Sequence, residues 1–339
     1  MPSKKTALPT CLPPNWPWFG VIAVLPFVGA SVVLEFVAPS ALEVAAFSEV
    51  FTAGPSAGIG HLGDRLTYAA LAYVQLASCF LVIGFYTHRL YQLDPERRAG
   101  AMRLLGVTAI CAAAAVVVVR SLQGAAYAVT YRNIRDLLQH TEFTHDFTAP
   151  LFSIEAIPYL TDVTPISLAG GLPFLMGAMA VVFAVPVGVA AASFTSSESE
   201  DWRREFSERV RWLQRAFYAL SVVLVTSTVA LMLFFQLPAE IALDEHRGGL
   251  LRYSRGLTVF WGATMTLTLI AAFAPAILAL QRRAKRQHMA TASRRDFGEW
   301  FAEQVPTTAK RQIANLATML APLMVGPLGT LLQSMFGGG

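Results

Sequence analysis

Two charged side chains of opposite sign lie deep within apolar stretches of this chain, Glu35 and Arg120. Glu35 follows Trp18, which marks the start of its stretch, by 17 positions. Arg120 follows Arg103, which marks the start of the other, by the same number. In a helix, 17 residues span about 25 Å. An unpaired charge in hydrocarbon costs at least about 2.5–3.5 kcal/mol at the centre of a bilayer, so we predict an ion pair. The alternative is that Arg120 extends to the headgroups unaided. Two further side chains fall on the same helical face as neighbours of the pair, Gln123 and Tyr127.

Uncharged polar and helix-weakening residues form a second set inside the apolar stretches. Broken helices and polar side chains line the binding sites of many transporters, so these residues could line a pathway. The alternative is close packing, because glycine, proline and hydroxyl side chains are common at contacts between membrane helices. The set comprises Pro26, Gly29, Gln75, Gly171, Pro173, Gly177, Thr264 and Thr268.

Catalytic and cofactor chemistry finds little support in the sequence. All six histidines lie in predicted loops or at helix ends, and the four lysines lie in the tails. His140 and His145 are five residues apart, which is poor spacing for metal binding from one helix. We therefore predict no enzyme active site, no metal site and no cofactor.

The elements that must position these residues are membrane helices. Of 339 residues, 55% are hydrophobic and only 14% are charged. Several windows of about 20 residues carry at most one charge, which suits a hydrocarbon core about 30 Å thick. Because backbone groups inside a bilayer must be satisfied internally, such runs form helices. The fold class is therefore an all-α, polytopic membrane helix bundle.

Six spans are predicted, at 18–39, 66–87, 104–126, 168–192, 214–237 and 256–280. A short lead-in, 1–17, precedes the transmembrane domain, 18–282, and a tail follows at 283–339. Outer loops are expected at 40–65, 130–165 and 238–255. The acidic and then arginine-rich stretch before the fifth span predicts a helix that continues into that span.

A faint internal similarity suggests two halves of three spans each. Residues 25–40 resemble residues 172–188, and residues 106–119 resemble residues 256–269. An odd number of spans per copy would make this a 3+3 inverted repeat, which is typical of secondary transporters. The alternative is chance likeness between apolar helices.

Lysine and arginine counts set the orientation. The two tails and the predicted inner loops hold 19 of the 26 basic residues, and the predicted outer segments hold 6. Both termini are therefore expected in the cytoplasm, with the protein in a bacterial inner membrane and anionic lipid headgroups against its basic face. No basic domain suggests binding to nucleic acid.

The C-terminal tail carries an amphipathic helix pattern. Phe297, Trp300 and Phe301 fall on one face at helical spacing, with charged residues opposite. The tail is predicted to lie in the membrane interface, to pack under the bundle, or to dock on a second copy or a partner protein.

Two classes of function remain open on the sequence. One is a transporter or channel for an ion or a small polar solute, indicated by the repeat, the helix-weakening residues and the intramembrane charges. The other is a non-catalytic membrane effector or accessory subunit, in which the spans are a scaffold and the tail docks a partner.

Overall fold

The computed structural model describes residues 17–36, 59–121, 165–192, 202–241, 244–290 and 321. All the elements in these ranges are α-helices. In chain order they are α1 (Pro17–Phe36), α2 (Ile59–Gln92), α3 (Pro95–Ser121), α4 (Pro165–Ala192), α5 (Trp202–Ile241) and α6 (Asp244–Ala290).

Four helices are long and apolar enough to cross a membrane. The segments that meet both conditions are Ala70–Gln92, Arg97–Ala115, Phe206–Leu237 and Arg247–Arg286, in α2, α3, α5 and α6. Shorter apolar segments, Gly20–Leu34 and Leu175–Gly188, lie in α1 and α4. The part of the chain that the structure describes is therefore all-helical and of membrane type, and the count of six spans stays a prediction.

The helices extend further than the hydropathy pattern predicts. The helix expected to run into the fifth span is confirmed, since α5 is continuous from Trp202 to Ile241. The segment predicted as an outer loop, 238–255, is helical where the structure describes it, up to Ile241 and from Asp244 onwards, and its place outside the membrane stays a prediction. Asp244 and Glu245 are the first two residues of α6. Hydropathy marks where a helix leaves the hydrocarbon, whereas helix ends are fixed by backbone capping.

The sequence left open whether the first and fourth apolar segments are broken helices or closely packed ones, and both are continuous where the structure describes them. Helix α1 continues through Pro26 and Gly29, and α4 continues through Gly171, Pro173 and Gly177. A proline in a membrane helix removes one backbone hydrogen bond without ending the helix, because neighbouring turns re-satisfy the freed carbonyl. These residues therefore do not form half-helices with exposed ends in this structure.

Helix α4 lies at the centre of the bundle and contacts each of the other five helices. Its small residues allow this, since Ala180, Ala184 and Gly188 are buried and present little side chain to their neighbours. The most extensive pairing is between α5 and α6. A continuous apolar core runs through these helices and includes Leu224, Met265 and other buried side chains.

The contacts do not follow the correspondence that an inverted repeat would predict. The repeat equates α1 with α4 and α2 with α5, so the broad α4–α5 contact should have a counterpart between α1 and α2. Within the described ranges, α1 and α2 have at most marginal contact, and α2 and α3 meet far less than α5 and α6. The repeat stays a prediction from the sequence.

The outer surface of the bundle is apolar on every helix. Large exposed hydrophobic side chains include Leu25 on α1, Phe80 on α2, Ile110 on α3, Leu175 on α4, Val222 on α5 and Leu267 on α6. A soluble protein rarely exposes so many, whereas lipid covers such side chains at no cost. This surface fits contact with acyl chains.

Candidate functional site

A buried polar contact joins helices α2, α5 and α4. Gln75 Nε2 of α2 donates a hydrogen bond of 2.8 Å to Ser227 Oγ of α5. Both residues are buried, with 2% and 0% of their surfaces exposed. Gly177 of α4 completes the junction, since a Cβ at that glycine would lie 3.5 Å from Ser227 Oγ. We call Gln75, Ser227 and Gly177 the polar junction.

The polar junction lies well inside the membrane-spanning part of the bundle. Gln75 precedes Arg89 by 14 residues, which is about 21 Å of helix. Ser227 follows Arg215 by 12 residues, which is about 18 Å. The two depths agree, as the hydrogen bond requires. A buried amide at this depth needs partners, because unsatisfied polar groups cost several kcal/mol in hydrocarbon.

The sequence identified Gln75 and Gly177 as candidate pathway residues but missed Ser227. The fifth span offers several hydroxyl groups, and most of them are used within their own helix. Ser221 donates to the carbonyl of Phe217 at 2.8 Å, and Thr228 donates to that of Leu224 at 2.8 Å. The run Thr226–Ser227–Thr228 in an apolar span was the available signal. Only the rotation of α5 against α2 selects Ser227 from that run.

Two other predicted pathway residues, Thr264 and Thr268, are buried in α6 on one helical face. Their hydroxyl groups donate within the helix, to the carbonyl of Phe260 at 3.0 Å and to that of Thr264 at 2.8 Å. This is the ordinary satisfaction of threonine in membrane helices. These two hydroxyl groups are therefore not among the contacts of the polar junction.

A second interhelical hydrogen bond ties α2 to α5 nearer their charged ends. Tyr86 Oη donates to the backbone carbonyl of Ala216 at 2.7 Å, and Tyr86 is fully buried. No pattern of side chains indicates this bond in advance, because the acceptor is a backbone group. Together with the polar junction, it fixes the register of α2 against α5 at two heights.

Helices α1 and α3 approach closely near the start of α1. A Cβ at Gly20 would lie 2.6 Å from Thr108 Oγ1 and 3.3 Å from Thr108 Cα. Thr108 is fully buried, and its hydroxyl donates to the carbonyl of Leu104 at 2.8 Å. Without a side chain, Gly20 lets α1 and α3 approach this closely. These are the two helices that carry Glu35 and Arg120.

The predicted Glu35–Arg120 pair lies at the far ends of these same helices. The backbone of each residue is helical, whereas their side chains lie outside what the structure describes, as do Gln123 and Tyr127. From the Gly20–Thr108 contact, Glu35 is 15 residues further along α1 and Arg120 is 12 residues further along α3. If the two helices run parallel, the difference of three residues places Glu35 and Arg120 about 4.5 Å apart along the helix axis. The pair stays a prediction.

The predicted tail surface of Phe297, Trp300 and Phe301 also lies outside the described residues.

No group of three or more His, Cys, Asp or Glu side chains that could hold a metal occurs within the ranges that the structure describes. Neither the known protein families, nor the curated proteins, nor the solved structures include one with significant similarity to this chain.

Proposed function

We propose that this protein is an integral membrane transporter or channel that moves an ion or a small polar solute. The observation that supports the proposal is the polar junction, in which a buried amide and a buried hydroxyl from two helices meet beside a glycine of the central helix. Polar groups deep in a membrane bundle are costly, so they are more often retained for function than apolar ones.

The position of the polar junction fits a solute route. Helix α4 contacts every other helix, so a small movement of α4 would change packing throughout the bundle. Because Gly177 has no side chain, α4 can move past Ser227 at this position without a steric clash. An amide and a hydroxyl can each donate and accept, so they can exchange their mutual hydrogen bond for one to water or a polar solute.

The second candidate is a non-catalytic effector or accessory subunit, with the bundle as scaffold. It is favoured by a different observation: Thr108, Thr228, Thr264 and Thr268 all donate to carbonyls of their own helices. In that interpretation the polar junction is a packing contact, and the C-terminal tail docks a partner or a second copy.

A flux assay on the full chain in liposomes separates the two candidates. Vesicles with and without the protein would be loaded with a panel of cations, anions and neutral polar solutes, and release would be followed under an imposed gradient. Transport predicts protein-dependent flux of at least one class of solute. Ser227→Ala should change that flux severalfold, whereas Ser221→Ala should leave it unchanged, because both serines are buried in α5 and only Ser227 contacts Gln75. Equal effects of both substitutions would contradict a role for the polar junction.

A further inference from the structure

One end of the bundle carries a cluster of two arginines around a single tryptophan. The guanidinium carbon of Arg89, in α2, lies 3.4 Å from the centre of the Trp212 ring, in α5. That of Arg215, one turn along α5, lies 5.7 Å from the same ring centre. Phe85 lies against the indole with ring centres 6.1 Å apart. We call Arg89, Trp212 and Arg215 the arginine cluster.

The arginine cluster is positioned by contacts on both sides. Arg89 Nη1 also donates to Gln92 Oε1, and Gln92 Nε2 lies 2.8 Å from His88 Nε2. One turn deeper, Tyr86 is bonded to the carbonyl of Ala216, the residue after Arg215. Both guanidinium groups are therefore held beside the Trp212 ring before any ligand arrives.

The positive charge of the cluster is not balanced by the protein side chains that the structure describes. The two carboxylates described at this end, Asp94 and Glu208, each contact a different arginine, at 3.5 Å and 3.7 Å. Neither is within ion-pair distance of Arg89 or Arg215. Two like charges held beside one indole repel each other, so binding of an anion that contacts both is favoured.

The surface next to the cluster indicates which anion. Arg215 is exposed, and the side chains that follow it on the same face of α5, Tyr218 and Val222, are also exposed, at 38% and 53%. Both belong to the apolar spanning segment Phe206–Leu237. A headgroup phosphate at the arginines would thus continue into an apolar stripe where an acyl chain can lie. Free phosphate would make no use of that stripe.

We propose that Arg89 and Arg215 bind the phosphate of an anionic phospholipid, with Trp212 as the platform on which the guanidinium groups are oriented. Arginine suits this task because its planar fork can donate two hydrogen bonds to phosphate oxygens while its face stacks on an aromatic ring. The site is a defined lipid site on the surface of α2 and α5, and it requires no transport activity.

Lipid binding can be measured on the purified full chain in neutral detergent. Phosphatidylglycerol would be titrated, with bound lipid counted by native mass spectrometry and the melting temperature followed in parallel. Phosphatidylcholine and inorganic phosphate provide two comparison arms. The proposal predicts saturable binding of phosphatidylglycerol, much weaker binding of phosphatidylcholine, and no stabilisation by inorganic phosphate at equal concentration.

Variants then assign the lipid to the cluster. Arg89→Gln and Arg215→Gln should each lower the affinity for phosphatidylglycerol about fivefold, as expected for loss of one basic contact. Arg103→Gln, which removes an exposed arginine of α3, is the matched control and should leave the affinity unchanged. Arg215 is exposed, so its substitution keeps the test valid even if Arg89→Gln impairs folding. Unchanged affinity in Arg215→Gln, an equal loss in Arg103→Gln, or full stabilisation by inorganic phosphate would overturn the proposal.

Discussion

Substitution of Gly20 by alanine tests the close contact between α1 and α3. The added Cβ would lie 2.6 Å from Thr108 Oγ1, well inside van der Waals contact, and 3.3 Å from the Thr108 Cα. The threonine hydroxyl cannot move away freely, since it is buried and bonded to the Leu104 carbonyl. Helices α1 and α3 must therefore separate by several tenths of an ångström, or the hydroxyl must give up its bond.

Overpacking of this kind costs about 1–3 kcal/mol. Alanine also favours a helix over glycine by up to about 1 kcal/mol, so the raw effect of Gly20→Ala understates the cost of the contact. Gly29→Ala is the matched control, because it lies in the same helix with nothing within 4 Å of its Cβ. We expect the free energy of unfolding of Gly20→Ala to fall about 1–3 kcal/mol below that of Gly29→Ala.

The assay is reversible unfolding of the purified protein in detergent, followed by circular dichroism. Adding Thr108→Ala to Gly20→Ala should recover part of the loss, because it removes the nearest atom but leaves the Thr108 Cα at 3.3 Å. If Gly20→Ala and Gly29→Ala prove equally stable, α1 and α3 do not approach at Gly20 and the packing described for them is wrong.

Three further predictions use other parts of the chain. Tyr86→Phe should lower the free energy of unfolding by about 0.6–1.7 kcal/mol, since it removes the hydrogen bond to α5, whereas the exposed Tyr91→Phe should not change it. Reversing the charge of Glu35 or Arg120 alone should reduce the yield of folded protein, and the double exchange Glu35→Arg with Arg120→Glu should restore much of it; no recovery would argue against an ion pair. Deletion of residues 293–339 should leave a membrane-inserted protein with altered oligomeric state or flux, as judged by light scattering and the liposome assay, and a truncated protein that behaves as the full chain would exclude tail docking.

The sequence predicts the helical membrane character of this chain because hydropathy is a local property. A run of 20 apolar residues must form a helix in lipid whatever surrounds it. Helix ends were predicted less well, as at 238–255, because polar residues such as those that begin α6 can extend a helix beyond the hydrocarbon. The sequence alone does not decide whether Pro26 breaks its helix, because neighbouring turns can support a proline within a helix.

The candidate site was predicted only in part because its contacts depend on helix rotation. Gln75 stands out in an apolar run, yet nothing in its neighbourhood indicates that Ser227, rather than Ser221, will face it. The bond from Tyr86 to a backbone carbonyl and the stacking of Arg89 on Trp212 have no counterpart in a linear pattern. Such pairings follow from packing between distant segments.

The central claim, that the polar junction lines a solute route, can be tested most directly by thiol accessibility, without knowledge of the solute. Cysteine would be introduced by Ser227→Cys, and separately by Ser221→Cys as the control, in a background that lacks the native Cys11, Cys79 and Cys111. Intact proteoliposomes would be treated with a small hydrophilic methanethiosulfonate reagent, and modification would be counted by mass spectrometry. A water-accessible route predicts modification of Ser227→Cys at a rate at least tenfold above that of Ser221→Cys. Protection of both cysteines would contradict the account and leave the polar junction as a packing contact.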